Sequence, residues 1–292
     1  MTVKLLLDTD IGSDIDDAVC LAYLLAQPQC ELLGVTTVTG EADKRAMMVS
    51  ALCKSAGKNI PVYPGAEEPL LIPSYQPRAP QAKALSNWAH DSGFPRGEAV
   101  EFLRSTIRKF PGEIILLAIG PLTNIALLFK ADAEIPRLLK GLAIMGGVFT
   151  NRLAGVGPLE WNIVCDPHAA EIVYQAPVGV HRSVGLDVTC RVTMNARQVK
   201  EKFSSGLLRP VLDFAKVWFE ERETVTFHDP LAAATIFDDK ICGFHRGNVE
   251  VELISPKLRG FTGWKADEKG RHEVALEVDA GRFFGHYFTV FD

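Results

Sequence analysis

No C-x-x-C pair occurs among the six cysteines, Cys20, Cys30, Cys53, Cys165, Cys190 and Cys242. Most of them lie in apolar runs, as the buried thiols of a reduced, cytosolic protein do. No apolar run approaches the roughly 18 residues of a membrane span, so no membrane contact is expected. The first apolar run begins at about residue 3, which leaves no room for a signal peptide and fits a cytoplasmic location. Basic residues are not in excess. Lys and Arg total 31 against 36 Asp and Glu, with net charge −5, so a nucleic-acid footprint is not expected. Neither G-x-G-x-x-G nor G-x-x-x-x-G-K-[ST] is present, so dinucleotide and P-loop readings lack support. There is no internal repeat and no linker, so residues 1–292 are expected to form a single domain. That is long for one domain but within the α/β range.

What is present is a chain with 47% hydrophobic residues, enough for a sizeable core. Short β-branched or continuous apolar runs alternate with helix-period stretches. Strands are expected at 3–7, 31–38, 61–63, 113–119, 142–145, 179–187, 249–254 and 272–278. Helices are expected at 18–26, 41–56, 97–110, 122–130, 195–203, 207–222 and 231–237. The run 113–119 (EIILLAI) is of the buried parallel type. The alternation predicts an α/β fold, an open, mostly parallel sheet with helices on both faces. The segment 65–98 is Pro-rich and irregular, and a loop that long in a compact domain is more often functional than structureless. The helical stripe Leu212, Phe214, Ala215, Trp218 and Phe219 reads as core.

The densest chemistry lies in residues 5–18, LLLDTDIGSDIDDA. Five carboxylates, Asp8, Asp10, Asp14, Asp16 and Asp17, fall within ten residues. The order is strand, tight loop at Gly12, then helix. In open α/β sheets the ligand site lies at the carboxyl ends of strands. Five crowded anions raise one another's pKa, and a cation would remove that cost. All-oxygen ligands point to Ca²⁺ or Mg²⁺ rather than Zn²⁺. One Asp could be only a helix cap, and Asp14 fits that role, but five exceed the need. An EF-hand loop requires Glu at its twelfth position, and counting from Asp8 the twelfth residue is Val19.

Further motifs follow: VTTVTG at 35–40, GPLTNIA at 120–126, MGG at 145–147, EWNIVCDPHAA at 160–170, VGLDVT at 184–189 and HDP at 228–230. In this order and spacing, from residue 3 to about 280, the chain resembles the inosine-uridine-preferring nucleoside hydrolases, the N-ribohydrolases. Each motif alone is weak, and together they are highly specific. The family's opening D-x-D-x-G-x-D-D is met by Asp8, Asp10, Gly12, Asp16 and Asp17, with two residues inserted before the last pair. The resemblance implies a nucleoside-hydrolase-like (Rossmann-like) core, cleavage of the N-glycosidic bond of a ribonucleoside, and a homodimer or homotetramer. It implies one Ca²⁺ held by Asp10, Asp17, the carbonyl of Ile119 and Asp229, with Asp10 also the general base toward water. Asp16 would bond a ribose hydroxyl, Glu160 and Asn162 the 5′ and 3′ hydroxyls, and Met145 would pack under the sugar. His228 would face the leaving base and supply its proton, with Trp161 and the loop around His90 lining the base pocket. Where the family often has Asn after the second strand, this chain has Glu41, which is expected to contact the water or the ribose 2′ side.

The residue types suit that chemistry. Cleaving a ribosyl C–N bond passes through an oxocarbenium-like centre, so water must be activated on one face by a carboxylate and a hard cation. Imidazole can serve the departing base. Two other readings compete. The Asp-x-Asp after a first strand also resembles haloacid-dehalogenase-type phosphatases, whose late acidic pair could only be Asp238–Asp239 here. A nucleoside- or ribose-binding module with a structural Ca²⁺ would show the same motifs. Trp161 points to purine-selective members and His228 to broad-specificity ones, so base preference stays open.

Overall fold

The structure, a computed structural model, describes residues 2–204 and 206–291. Its strands are β1 (Val3–Thr9), β2 (Cys30–Thr37), β3 (Val62–Pro64), β4 (Ile114–Ala118), β5 (Gly141–Met145), β6 (His181–Val184), β7 (Thr193–Asn195), β8 (Thr224–Thr226), β9 (Cys242–Val251), β10 (Thr262–Ala266) and β11 (His272–Val278). Nine of them form one sheet in the order β10-β9-β11-β6-β5-β4-β1-β2-β3, and β7 pairs with β8 apart from it. From β11 to β3 every neighbouring pair is parallel, while β9 and β10 close the far edge antiparallel.

Alternating side chains feed two apolar layers, as strand geometry requires. Leu5 and Leu7 of β1 enter one layer and Leu6 the other; Leu117 and Leu116 of β4 divide the same way. Helices Asp16–Ala26, Ala42–Ser55, Leu208–Trp218, His228–Ala234 and Ala280–Thr289 cover the first layer. Helices Ala99–Lys109, Thr123–Ala131 and Pro167–Gln175 cover the second. Both faces being covered explains why β1, β4 and β5 read as near-continuous apolar runs. All six cysteines are unpaired thiols, and four of them are buried. Among the described residues no helix is long and apolar enough to cross a membrane.

Element ends differ from the sequence reading in informative ways. The strand expected over 179–187 stops at Val184, because Leu186–Thr189 forms a helical turn. The helix expected over 207–222 spans Leu208–Trp218, and that expected over 231–237 spans His228–Ala234. The strand expected at 249–254 is the end of the longer β9. Strands β7, β8 and β10 were not expected, and segment 65–98 contains a 3₁₀ helix, Pro80–Asn87. Strand β1 lies between β2 and β4. The chain leaves β1 toward β2 on one side and returns to β4 on the other. That is a topological switch point, where open α/β sheets place ligands.

Candidate active site

The loop after β1 and the turn after β4 meet at this switch point. Gly12 takes a positive φ of 114° that turns the Asp loop. A Cβ on Gly120 would lie 2.8 Å from Asp10 Oδ1, so the GPLTNIA turn needs glycine to pass the carboxylate. Buried Arg45 braces the loop from helix Ala42–Ser55. Its guanidinium donates to the backbone carbonyls of Asp10, Ile11 (3.0 Å), Gly40 (3.0 Å) and Arg78 (2.9 Å). At Asp8 the carboxylate Oδ1 accepts from Thr36 Oγ1 and from Asn124 Nδ2 (2.7 Å), and its Oδ2 has no partner among the described residues. Burial pushes its pKa up to about 7.

Above the loop opens a cavity of about 570 Å³, within the range of small-molecule sites. Its wall includes Asp10, Asp16, Asp17, Ile119, Met145, Glu160, Trp161, Asn162, His228 and Asp229, all expected from the sequence. Asp16 and Asp17 open helix Asp16–Ala26, and Asp229 lies in the first turn of helix His228–Ala234. The first turns of the two helices meet there, and the backbone N–H of Asp229 donates to Asp16 Oδ2 at 3.0 Å. Asp16, Asp17 and Asp229 bring one carboxylate oxygen each to within 4.8 Å of one another, all three buried. Burial first, then the neighbouring carboxylates, Asp14 beside Asp16, Asp10 beside Asp17 and Asp16 beside Asp229, raise their pKa values well above the ordinary carboxylate value. Asp10 is not part of this triplet, and its Oδ2 accepts from Gln76 Nε2. Burial raises its pKa too.

Glu160 is the N-cap of helix Trp161–Cys165. Its oxygens accept from the backbone N–H groups of Asn162 (2.8 Å), Ile163 (3.1 Å) and Gly147 (3.0 Å). Asn162 Nδ2 donates to the carbonyls of Ile119 (2.9 Å) and Met145 (3.2 Å), tying the ends of β4 and β5 together. His228 is half-buried, with Nδ1 2.7 Å from Thr189 Oγ1. Burial lowers its pKa to about 4, which favours the neutral ring. Asp166 caps helix Pro167–Gln175, its Oδ1 accepting from Ala169 N at 3.0 Å.

Two expected contacts are absent from the cavity lining. Glu41 takes a left-handed φ of 61° that turns its carboxylate to Ala79 N (2.9 Å) and to Lys44, not to the ribose side. His90 sits with Nδ1 2.7 Å from the Trp88 carbonyl, in a stretch anchored when Asp91 accepts from Ser50 and Lys54. The 65–98 segment contributes Gln76 instead. Trp218, read as core, lines the cavity together with Arg222, whose guanidinium carbon lies 5.5 Å from the Trp218 ring centroid. Of the phosphatase pair, Asp238 is turned to Arg282 (2.6 Å), and neither Asp238 nor Asp239 lines the cavity.

Comparison with known proteins agrees with this geometry. The profile of the family described as inosine-uridine preferring nucleoside hydrolase matches residues 5–285. Uridine nucleosidase 1 of Arabidopsis thaliana is 31% identical, over 85% of this chain and 78% of that protein. The inosine-uridine preferring nucleoside hydrolase of Leishmania major is 30% identical, over 97% of this chain and 96% of that protein. A purine-preferring ribonucleoside hydrolase structure from Gardnerella vaginalis superposes with TM-score 0.84 at 24% identity, covering 98% of this chain and 97% of that one.

Proposed function

The chain belongs to the inosine-uridine preferring nucleoside hydrolase family and is an N-ribohydrolase, and from that premise we propose that its cavity cleaves ribonucleosides to free base and ribose with the help of Ca²⁺. The observation that carries the metal reading is the buried triplet Asp16, Asp17 and Asp229. No Lys or Arg side chain forms an ion pair with these carboxylates among the described residues. Three buried anions without a counter-charge are costly, and a hard, all-oxygen donor set suits Ca²⁺. Asp17 and Asp229 would hold the ion from the helix side, Asp10 and the Ile119 carbonyl from the strand side. Bound there, Ca²⁺ supplies Lewis acidity toward water and a template for the ribose hydroxyls.

The rest falls to the chain's own groups. Asp10 takes the proton of the attacking water. Asp16, fixed by the Asp229 N–H, accepts from a ribose hydroxyl. Asn162 holds its side-chain oxygen ready for a hydroxyl while its Nδ2 is engaged on the two strand ends. Glu160, whose oxygens already serve three backbone donors, offers its remaining lone pairs to the 5′ side. Met145 lies beneath them as an apolar floor, and Trp161 and Trp218 wall the base side. Ribose release from a panel of purine and pyrimidine nucleosides, with chelator and with added Ca²⁺, tests the reading. Activity is expected only with the ion. Full turnover by protein shown by elemental analysis to be metal-free would overturn the Ca²⁺ assignment, and tight nucleoside binding without base release would favour a binding module.

A further inference from the structure

We propose that Gln76 is a positioning residue that couples the base-side wall of the cavity to Asp10. The proposal rests on Asp10 being the base, and adds how that carboxylate is aimed. One primary amide spans the two groups. Its Nε2 donates to Asp10 Oδ2 and lies 3.3 Å from Thr39 Oγ1, and its Oε1 accepts from Trp161 Nε1 at 2.6 Å. The orientation is unambiguous, because a carboxylate only accepts and an indole N–H only donates. A flipped amide would set oxygen against oxygen at one end and N–H against N–H at the other.

Three observations make this more than a packing contact. Arg45, the nearest cation, spends its donors on backbone carbonyls and on Ser13 Oγ. No Lys or Arg side chain is bonded to the Asp10 carboxylate among the described residues, which leaves Gln76 as its side-chain amide donor. Gln76 itself is only 8% exposed, whereas the Trp161 ring it holds is 53% exposed on the cavity wall. An indole that open would swing without its N–H bond. Finally, the segment that delivers Gln76 is pinned just beyond it. The Arg78 carbonyl accepts from Arg45, and Ala79 N donates to Glu41 Oε2. Glu41 thus acts on the site through the loop rather than through the ribose. When a base stacks on Trp161, the indole, the amide and the Asp10 carboxylate are set as one unit.

Four proteins test it: Gln76→Met, which keeps the volume and loses both bonds; Gln76→Glu, which keeps the acceptor for Trp161 and loses the donor to Asp10; Trp161→Phe; and the double variant Gln76→Met with Trp161→Phe. Misaiming a base by about 1 Å costs up to about 100-fold. Gln76→Met and Gln76→Glu are therefore expected to lower kcat about 10- to 100-fold, with KM within about threefold and unchanged thermal melting. Trp161→Phe is expected to lower kcat less, and the double variant to be no slower than Gln76→Met alone. Crystal structures of wild type and Gln76→Met give a readout apart from activity: the Asp10 carboxylate should rotate in the variant. Multiplicative losses, a loss confined to KM, or an unmoved Asp10 would overturn the coupling. If the wild type releases ribose from no nucleoside, it is the hydrolase reading that fails, and the Asp10 orientation still decides the coupling.

Discussion

With Thr189 Oγ1 2.7 Å from Nδ1 and a pKa lowered to about 4 by burial, His228 is a neutral ring in neutral solution. In the tautomer whose Nδ1 accepts the Thr189 hydroxyl, the hydrogen lies on Nε2, which has no partner among the described residues. The ring can then serve a departing base by hydrogen bonding rather than as a stored proton. One positioned donor to a developing negative charge is worth about 10²- to 10³-fold. His228→Ala should therefore slow inosine hydrolysis by about 100-fold or more, and hydrolysis of p-nitrophenyl riboside, whose leaving group needs no help, by less than about tenfold. Equal losses on both substrates would make His228 a packing residue. Legibility at this scale depended on residue type. Crowded carboxylates announce themselves, whereas Asp229 is singled out only by the family resemblance. Gln76 did not, since its partners lie 66 and 85 positions away and an amide is unremarked in any loop. The period that put Trp218 in a core stripe was right for Leu212, Phe214 and Ala215. The helix ends at Trp218, however, and that leaves the indole on the cavity rim.

Two helices begin at the acidic cluster. Asp16 and Asp17 in the first turn of Asp16–Ala26 are favoured by the helix dipole, yet their mutual repulsion with Asp229 works against bringing the second helix close. A divalent ion between them converts that repulsion into a tie. Ca²⁺ at about 100 times its dissociation constant should add about 2.7 kcal/mol of stability, or several degrees in Tm for a chain this long. Differential scanning calorimetry with chelator and with graded Ca²⁺ checks this, and a Tm indifferent to the ion would count against a site at these two helix ends. Asp229→Asn should shrink the Ca²⁺-dependent shift. The elements that form the site were legible because β1, β4 and β5 are buried on both faces and their sequences say so. The outer strands were not. The first half of β9 and much of β10 are half-exposed, with mixed polar sequence, and only pairing with each other and with β11 makes them strands.

For the molecule as a whole, acid stability is set partly far from the cavity. His181 of β6 stacks on Tyr174 at 5.1 Å and meets His272 of β11 edge-on at 4.8 Å, and neither of its ring nitrogens has a hydrogen-bond partner among the described residues. Burial first, then His272 and Arg271, lowers its pKa well below the ordinary value. His272 is lowered by burial too: it has Nε2 2.8 Å from the Tyr174 carbonyl and accepts from Val249 N at Nδ1. The unfolded chain therefore binds protons that the folded chain refuses. The stability these two histidines contribute is full above about pH 6.5 and falls as pH drops below it, by up to about 1.4 kcal/mol per pH unit for each, while the buried carboxylates with raised pKa values act in the opposite sense. His181→Phe, which keeps a ring against Tyr174, should remove one histidine's share of that slope in urea unfolding at pH 7, 6 and 5. An unchanged slope would show that His181 does not carry it.

Arg45 meets residues 10, 11, 40 and 78 through their carbonyl oxygens alone. At these four positions the guanidinium binds main-chain oxygens and is indifferent to the side chains displayed there; its one side-chain partner is Ser13 Oγ, 3.0 Å away. Exposed Arg78 can drift to other residues without loss of that contact, while position 45 cannot, because no other side chain offers five donors in one plane. Substitution at one end of such a contact calls for no answering change at the other. The brace behind the Asp loop is thus invisible to any method that looks for covarying pairs, although it joins three distant stretches of the chain.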